Sequence, residues 1–358
     1  MKFAVVGAGS MANRRIRHVQ QLGGGDLVVY DVRADRRAEV ERNHGVRTVD
    51  SLSSLISENP DAIFVSVPPA YHRTYVDLAI ERGWHFMTEQ PIFHTDDGLD
   101  ELVEAVEQRG LITHVSCNMR FHQSVRRMKQ LIQDDAIGPV ATGMVEIGEW
   151  LPDWHPYEPY TDYYPSRRAM GGGLDAICDM EWLGHLFGPM ARMTCFAGKK
   201  TSLDVDTDDV VQMILEYESG PQIFLHADMI QRAYTHKAKF VGEKGVIEWD
   251  WAQQKVRLYR ASTQQWETFE DKVDVSDWPS MKAKPGWEWV EPMYLEDARA
   301  FIDRVKSGDS STDSLRDGIY NLRLVLHALE SNNLNRVWLS NETGNRGDKS
   351  AWYEQTAT

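Results

Sequence analysis

The sequence predicts an α/β chain in two domains: a nucleotide-binding half with a parallel sheet over residues 1–120, and an α+β half over 121–358 with a large, mainly antiparallel sheet. Three observations predict it. The 358 residues are about twice a usual domain of ~100–150. The first third alternates short apolar runs with amphipathic helical stretches, the pattern of βαβ units. Beyond residue 140 the pattern changes to successive strand-like segments joined by glycine-containing turns.

In the first half, residues 3–6, 27–30, 62–67, 84–88 and 112–116 read as strands. The run Ala62-Ile63-Phe64-Val65 is continuously apolar, as expected of a strand buried on both faces. Residues 13–21, 71–82 and 97–109 read as helices, the last with Leu99, Leu102, Val103 and Val106 at helical spacing. In the second half, residues 143–149, 210–217, 222–228, 237–241, 246–249 and 255–259 read as strands. Glu218-Ser219-Gly220-Pro221 and Gly242-Glu243-Lys244-Gly245 supply turns between them. Residues 294–307 and 314–331 are late helices, and a polar tail follows from Asn341.

A net charge of −15 argues against nucleic-acid or anionic-membrane partners, which need a basic face. No apolar run reaches the ~18–20 residues that span a bilayer, and the first strand begins at once without a leader pattern. Three cysteines make no disulfide framework, so the expectation is a cytoplasmic protein. Neither a spaced Cys/His set nor an acidic loop of calcium-binding pattern occurs, and no metal is expected.

The first strand runs into Gly7-Ala8-Gly9-Ser10-Met11-Ala12, which opens a helix. Gly7 permits the tight turn, Gly9 lets backbone approach a pyrophosphate, and Ala12 is small enough for helix to pack on strand. Phosphates then meet the free N–H groups of the helix start, including those of Ser10 and Met11. Asp31 lies 22 residues past Gly9 at the end of the second strand, where a carboxylate accepts ribose hydroxyls and repels a 2′-phosphate. This favours NAD; Arg33, Arg36 and Arg37 close by keep NADP open.

With that loop in place the chain resembles the glucose–fructose oxidoreductase/inositol dehydrogenase (Gfo/Idh/MocA) family along nearly its whole length. Carrying the resemblance are the glycine loop, Ser66-Val67-Pro68-Pro69 with His72, Thr88-Glu89-Gln90-Pro91, Asn118-Met119-Arg120-Phe121, Ile137-Gly138-Pro139-Val140, Gly171-Gly172-Gly173 and Gly242-Glu243-Lys244-Gly245. It implies an N-terminal Rossmann domain, an open-faced second sheet, hydride exchange between nicotinamide and a sugar or cyclitol, and a homodimer or homotetramer. It places Val67, Pro68, His72, Glu89, Gln90 and Asn118 at the cofactor, and Arg120 at the substrate. The aromatic stretch from Glu149 to Tyr164 looks like a subgroup of surface-sugar metabolism.

Two departures bear on catalysis. The family has Lys where this chain has Gln90, and an amide cannot accept a proton at neutral pH. The family's helical His is also missing: counting back from Gly188 puts Cys178 in its place, while counting forward from Gly173 brings Asp179 there. Asp175 then stands as the candidate base, with Cys178, a poor base at its ordinary pKa of ~8.5, on the same helical face.

Only one of the twelve tryptophans, Trp84, precedes residue 149. Trp150 and Trp154 suit the CH faces of a sugar, and core filling accounts for most of the others, with Trp278, Trp287 and Trp289 in a polar loop. Tyr163 and Arg167 complete the substrate candidates. His155, Tyr164, His226 and His236 are further titratable groups, each expected to be structural. The leading reading is an NAD-dependent oxidoreductase of a sugar or sugar derivative. The alternatives are a catalytically silent NAD(H)-binding regulator or scaffold, and a lyase or glycosidase that oxidises its substrate transiently.

Overall fold

A computed structural model describes residues 1–155, 158–270, 290–334 and 339–340. The loop carrying Trp278, Trp287 and Trp289 and the tail from Asn341 lie outside the described residues.

Six strands form the first sheet: β1 (Lys2–Val6), β2 (Asp26–Tyr30), β3 (Arg47–Val49), β4 (Ala62–Val65), β5 (His85–Thr88) and β6 (Thr113–Val115). Their order is β3-β2-β1-β4-β5-β6 and every pairing is parallel. The order reverses between β1 and β4, and such a switch point is where open α/β sheets bind ligands. Helices α1 (Ser10–Gln21), α2 (Ala34–His44), α3 (Leu52–Glu58), α4 (Pro69–Arg82) and α5 (Leu99–Arg109) connect the strands. Phe3, Ala4, Val5 and Val6 are fully buried, as are Ala62 and Ile63, because helices cover both faces. Strand β3 was not anticipated: three residues, none of them buried, give no period to read.

The second half begins with α6 (Gln123–Gln133) and carries β7 (Val140–Gly148), α7 (Ile177–Phe187), β8 (Met190–Gly198), β9 (Val210–Tyr217), β10 (Gln222–Asp228), β11 (Thr235–Gly242), β12 (Gly245–Asp250), β13 (Lys255–Arg260) and β14 (Gln265–Glu270). Then follow α8 (Val290–Ser307), α9 (Asp313–Asn333) and β15 (Leu339–Ser340). The sheet order is β14-β13-β12-β11-β7-β10-β9-β8-β15, antiparallel except for β7 beside β10. Strand β8 escaped the sequence reading because Met190–Gly198 lacks Val and Ile; β14 escaped because it is an exposed edge.

One face of this sheet is lined by Trp182 of α7 with Trp249, Phe240 and Phe187, whose rings meet edge to face. Helix α8 packs elsewhere: Phe301 sets its ring against Phe64 of the first sheet at 5.3 Å. The two halves are thus tied by a helix from the far end of the chain. No described helix is long and apolar enough to cross a membrane.

Candidate active site

A cavity of about 1070 Å³ runs from the glycine loop (Ala8, Gly9, Ser10, Met11) to the inner face of the second sheet (Ile147, Ala227, His236) and the start of α7. Gly7 has φ +100°, and a Cβ there would stand 2.5 Å from the Ser66 carbonyl oxygen, so only glycine fits. Gly9 caps α1, no side chain occupies that cap, and no acid lies in its first turn. The N–H groups of the first turn are therefore free for an anion, aided by the helix dipole. Such a cradle fits the pyrophosphate of a dinucleotide.

Asp31 stands beside this loop, its Oδ2 accepting the Ala8 N–H at 2.8 Å and its Oδ1 the Arg33 N–H at 2.7 Å. The basic trio is already engaged. Arg33 pairs with Asp35, Arg37 donates to the Asp31 carbonyl, and Arg36 reaches Glu158 at 3.2 Å across the cavity mouth. Val67 packs its Cγ1 near Gly7, and Pro68 caps α4.

Three residues expected at the cofactor stand behind the wall. His72 is fully buried: Nε2 lies 2.7 Å from the Val67 carbonyl oxygen and Nδ1 2.9 Å from that of Ile92, so it pins two loops together. Glu89 grips the buried Arg15 through both oxygens, at 2.7 and 2.8 Å. Arg15 also meets Asp297 of α8 at 3.0 Å. Gln90 points its amide at Cys117 Sγ, 3.1 Å away. None of the three is among the cavity's described lining residues, whereas Asn118 is.

The floor comes from the start of α7. Tyr164 donates its hydroxyl to Asp175 Oδ1 at 2.8 Å, while Asp175 Oδ2 is buried with no partner among the described residues. Burial raises the Asp175 pKa, and the Tyr164 hydrogen bond only partly offsets it. Cys178 lines the cavity, yet burial and the carboxylates of Asp179 and Asp175 push its thiol well above the ordinary value. A thiol so raised is protonated at neutral pH and does not serve as a base. Asp179, four residues after Asp175, is held by the Trp182 Nε1–H and by His236 Nε2, both at 2.9 Å. His236 comes from β11, and it stacks on Trp251 at 5.4 Å and 13°.

The substrate candidates divide. Trp154 lines the cavity, with Tyr164, Tyr234 and Trp251. Trp150 lies under the Arg232 guanidinium at 3.6 Å, and Tyr163 is buried, donating to backbone carbonyls of the loop that carries His155 and Glu158. Arg120 binds Glu181 and Asp317 beneath the floor, and Arg167 binds Asp204 on the surface. These four are absent from the described lining because structural partners already hold them. Among the residues the sequence ranked low, Asp179 and His236 line the cavity as a hydrogen-bonded pair. The Asp175-to-Asp179 spacing of one helical turn was the signal available for the first.

The arrangement matches known proteins. Residues 1–117 match the model of the GFO/IDH/MocA oxidoreductase family, NAD-binding Rossmann fold, and residues 125–248 match its C-terminal domain. The chain belongs to the GFO/IDH/MocA family. It is 38% identical over 286 residues to an uncharacterised protein of Sinorhizobium fredii, covering 76% of this chain and 74% of that protein. It is 26% identical over 254 residues to inositol 2-dehydrogenase 3 of Saccharopolyspora erythraea, covering 69% and 72%. The fold superimposes with a TM-score of 0.80 on levoglucosan dehydrogenase in complex with NADH and levoglucosan, at 17% identity, over 96% of this chain and 100% of that one. GFO/IDH/MocA relatives include NAD-dependent sugar and inositol oxidoreductases, and this chain carries the family's NAD-binding domain.

Proposed function

We propose that the protein is an NAD-dependent oxidoreductase of a sugar or sugar derivative whose proton acceptor is Asp175. The observation that carries this is the buried, unpartnered Oδ2 of Asp175, in the wall of the cavity that begins at the glycine loop. NAD, when bound, supplies the hydride acceptor. The chain's own residues do the rest. The free N–H groups of Ser10, Met11 and Ala12 hold a pyrophosphate, Asp31, bonded to the Ala8 N–H beside that loop, takes the ribose, and Asn118 lines the cavity. Trp154 and Trp251 offer apolar faces to the CH groups of a sugar ring.

Asp175 Oδ2 accepts the hydrogen of the substrate hydroxyl, and Tyr164 fixes the other oxygen so that the carboxylate is aimed before substrate arrives. Burial raises the Asp175 pKa towards the range in which a carboxylate both takes up and releases a proton. Gln90 orders the Cys117 loop beside the site, and self-association through the uncovered sheet face completes the particle. Absorbance of NADH on a panel of sugars and cyclitols is the test. Net formation of NADH supports this reading. Turnover without net change points to transient oxidation, and NAD binding without turnover points to a regulator.

A further inference from the structure

The reading above gives the Asp179–His236 pair of the cavity no task. His236 lies on the inner alternation of β11 with Ala238 and Phe240, and only 4% of its surface is exposed. Its Nε2 is 2.9 Å from Asp179 Oδ1. A carboxylate only accepts, so the imidazole hydrogen is assigned to Nε2. Nδ1 then carries the lone pair, and it has no partner among the described residues, in a residue that lines the cavity. His72 shows the contrast: both of its ring nitrogens end on backbone carbonyls. Trp249 meets the His236 ring at 4.7 Å and Trp251 stacks on it, so the ring is fixed in one orientation.

We propose that His236, oriented by Asp179, is the relay that receives the proton from Asp175 and returns it to solvent. This rests on the oxidoreductase reading. Oxidation of an alcohol breaks the hydroxyl O–H bond, and its proton passes to Asp175 Oδ2. It must leave again before the next turnover. It passes through solvent in the cavity to Nδ1, where an N–H bond forms, and the resulting imidazolium is balanced by the Asp179 carboxylate. In the reducing direction the same path runs backwards. An acid that orients an imidazole and stabilises its charged form is the division of labour seen in hydrolase triads.

Several ionisable and aromatic groups face His236. From α7 come Asp179, with Asp175 and Cys178 one turn or less away, the thiol held protonated as described. From the start of α6, His122 sets its ring tilted against Trp251 at 4.6 Å, and burial lowers its pKa to about 3, so it stays neutral. Tyr234, beside Trp251, is pushed upward by burial. Trp182, Trp249 and Trp251 carry no charge.

The test begins on the full chain without added cofactor, using ¹⁵N-histidine NMR across the pH range. The expected result is a hydrogen on Nε2 and a bare Nδ1, with the fixed tautomer lost in Asp179→Asn. A hydrogen on Nδ1 overturns the relay. The second arm compares NAD reduction with myo-inositol and D-glucose. His236→Gln keeps an N–H for Asp179 but cannot take a proton, and turnover should fall about 10²-fold with NAD affinity unchanged. Added imidazole should restore part of the rate of His236→Ala. If wild type turns over and His236→Gln keeps its full rate, the relay alone is wrong. If wild type reduces NAD with no sugar or cyclitol, the oxidoreductase reading falls, and the relay with it.

Discussion

Tyr164 gives its hydroxyl hydrogen to one oxygen of Asp175 at 2.8 Å and leaves the other oxygen buried and unmatched. A carboxylate half satisfied in this way keeps one acceptor for a substrate hydroxyl. Asp175→Asn should lower turnover by about 10²–10⁴-fold and leave NAD affinity nearly unchanged, because the glycine loop is untouched. Tyr164→Phe should act on pH dependence instead. The Tyr164 hydrogen bond lowers the Asp175 pKa against the burial that raises it. Removing it lifts the pKa further, so the acid limb of the rate profile should move to higher pH. An unmoved limb with a fully active Asp175→Asn would remove Asp175 from the reaction.

How much of this was legible without coordinates follows from range. The glycine loop, β1 and α1 are neighbours in the chain, so spacing alone placed them. Asp175 was singled out because a missing Lys and His left it as the nearest carboxylate. The Asp179–His236 pair was not found, because 57 residues separate its members and only the antiparallel sheet sets β11 opposite α7. Glu89 was expected at the cofactor, and its real partner, Arg15, lies 74 residues away. Helix α8 was assigned by sequence order to the second half, yet it packs against the first sheet through Phe301. Local periodicity carries no information about such pairings.

Cofactor choice is the second prediction. Asp31 holds the Ala8 N–H, and a 2′-phosphate at its carboxylate would meet like charge at a cost on the order of 4 kcal/mol at ~4 Å in an effective dielectric of ~20. Calorimetric titration should show NAD bound more tightly than NADP. Asp31→Ser should narrow the gap from both sides: it removes the repulsion, and it frees the Ala8 N–H that orders the loop. Arg33 would still have to leave Asp35 to reach a phosphate. NADP binding as tight as NAD in the wild type would refute this.

Acid stability gives a third. Burial would raise the pKa of Asp297, but Arg15, His114 and Ser116 more than offset it and lower it to about 2. A carboxylate with a depressed folded pKa stabilises the fold at pH above its unfolded value, ~3.9, and loses that contribution as pH falls through the folded value. Glu291, also lowered to about 2 by His18, Arg14 and Arg17 against its burial, behaves alike. The Tm should therefore begin to fall below about pH 6.5, where the unfolded chain takes up protons that the buried, neutral His122 refuses, and should fall more steeply from about 4 towards 2. Arg15→Met should cost about 3–5 kcal/mol at neutral pH, since it leaves Asp297 and Glu89 buried without their cation. A Tm unchanged in this variant would show that the network carries no stability.

Cys178 gives a fourth, opposite in sign to what its place in the cavity suggests. Its opening onto the cavity invites alkylation, but the attacking species is the thiolate, and the protein packed round the sulfur, with Asp179 and Asp175 nearby, holds it protonated. Iodoacetamide should react with it more slowly at neutral pH than with a free thiol, and Cys178→Ser should be mild in activity. Fast alkylation at pH 7 would require a thiolate that these neighbours disfavour.

The last prediction concerns the face of the second sheet that no described helix covers. Met144, Phe224 and Ile214 stand opposite one another across β7, β10 and β9. They form an apolar row, with Met144 59% and Ile214 38% exposed, and Phe196 of β8 adds a further 43%-exposed ring. Lys239, Lys237, Glu248 and Arg257 flank the row on β11, β12 and β13. An apolar strip rimmed by charge is the layout of a protein interface, and a face left in water would favour association. The face of a second copy, turned by a two-fold axis, offers the same row and the same mixed charges. Light scattering at micromolar concentration should therefore return at least twice the 41.0 kDa chain mass. Replacing Met144 and Ile214 together by Glu should shift the mass towards a monomer, because like charges would face each other across the axis. The cavity lies on the other side of the sheet, so NAD should still bind to the separated chain. A wild-type monomer at that concentration would mean that this face is not where copies of the chain meet.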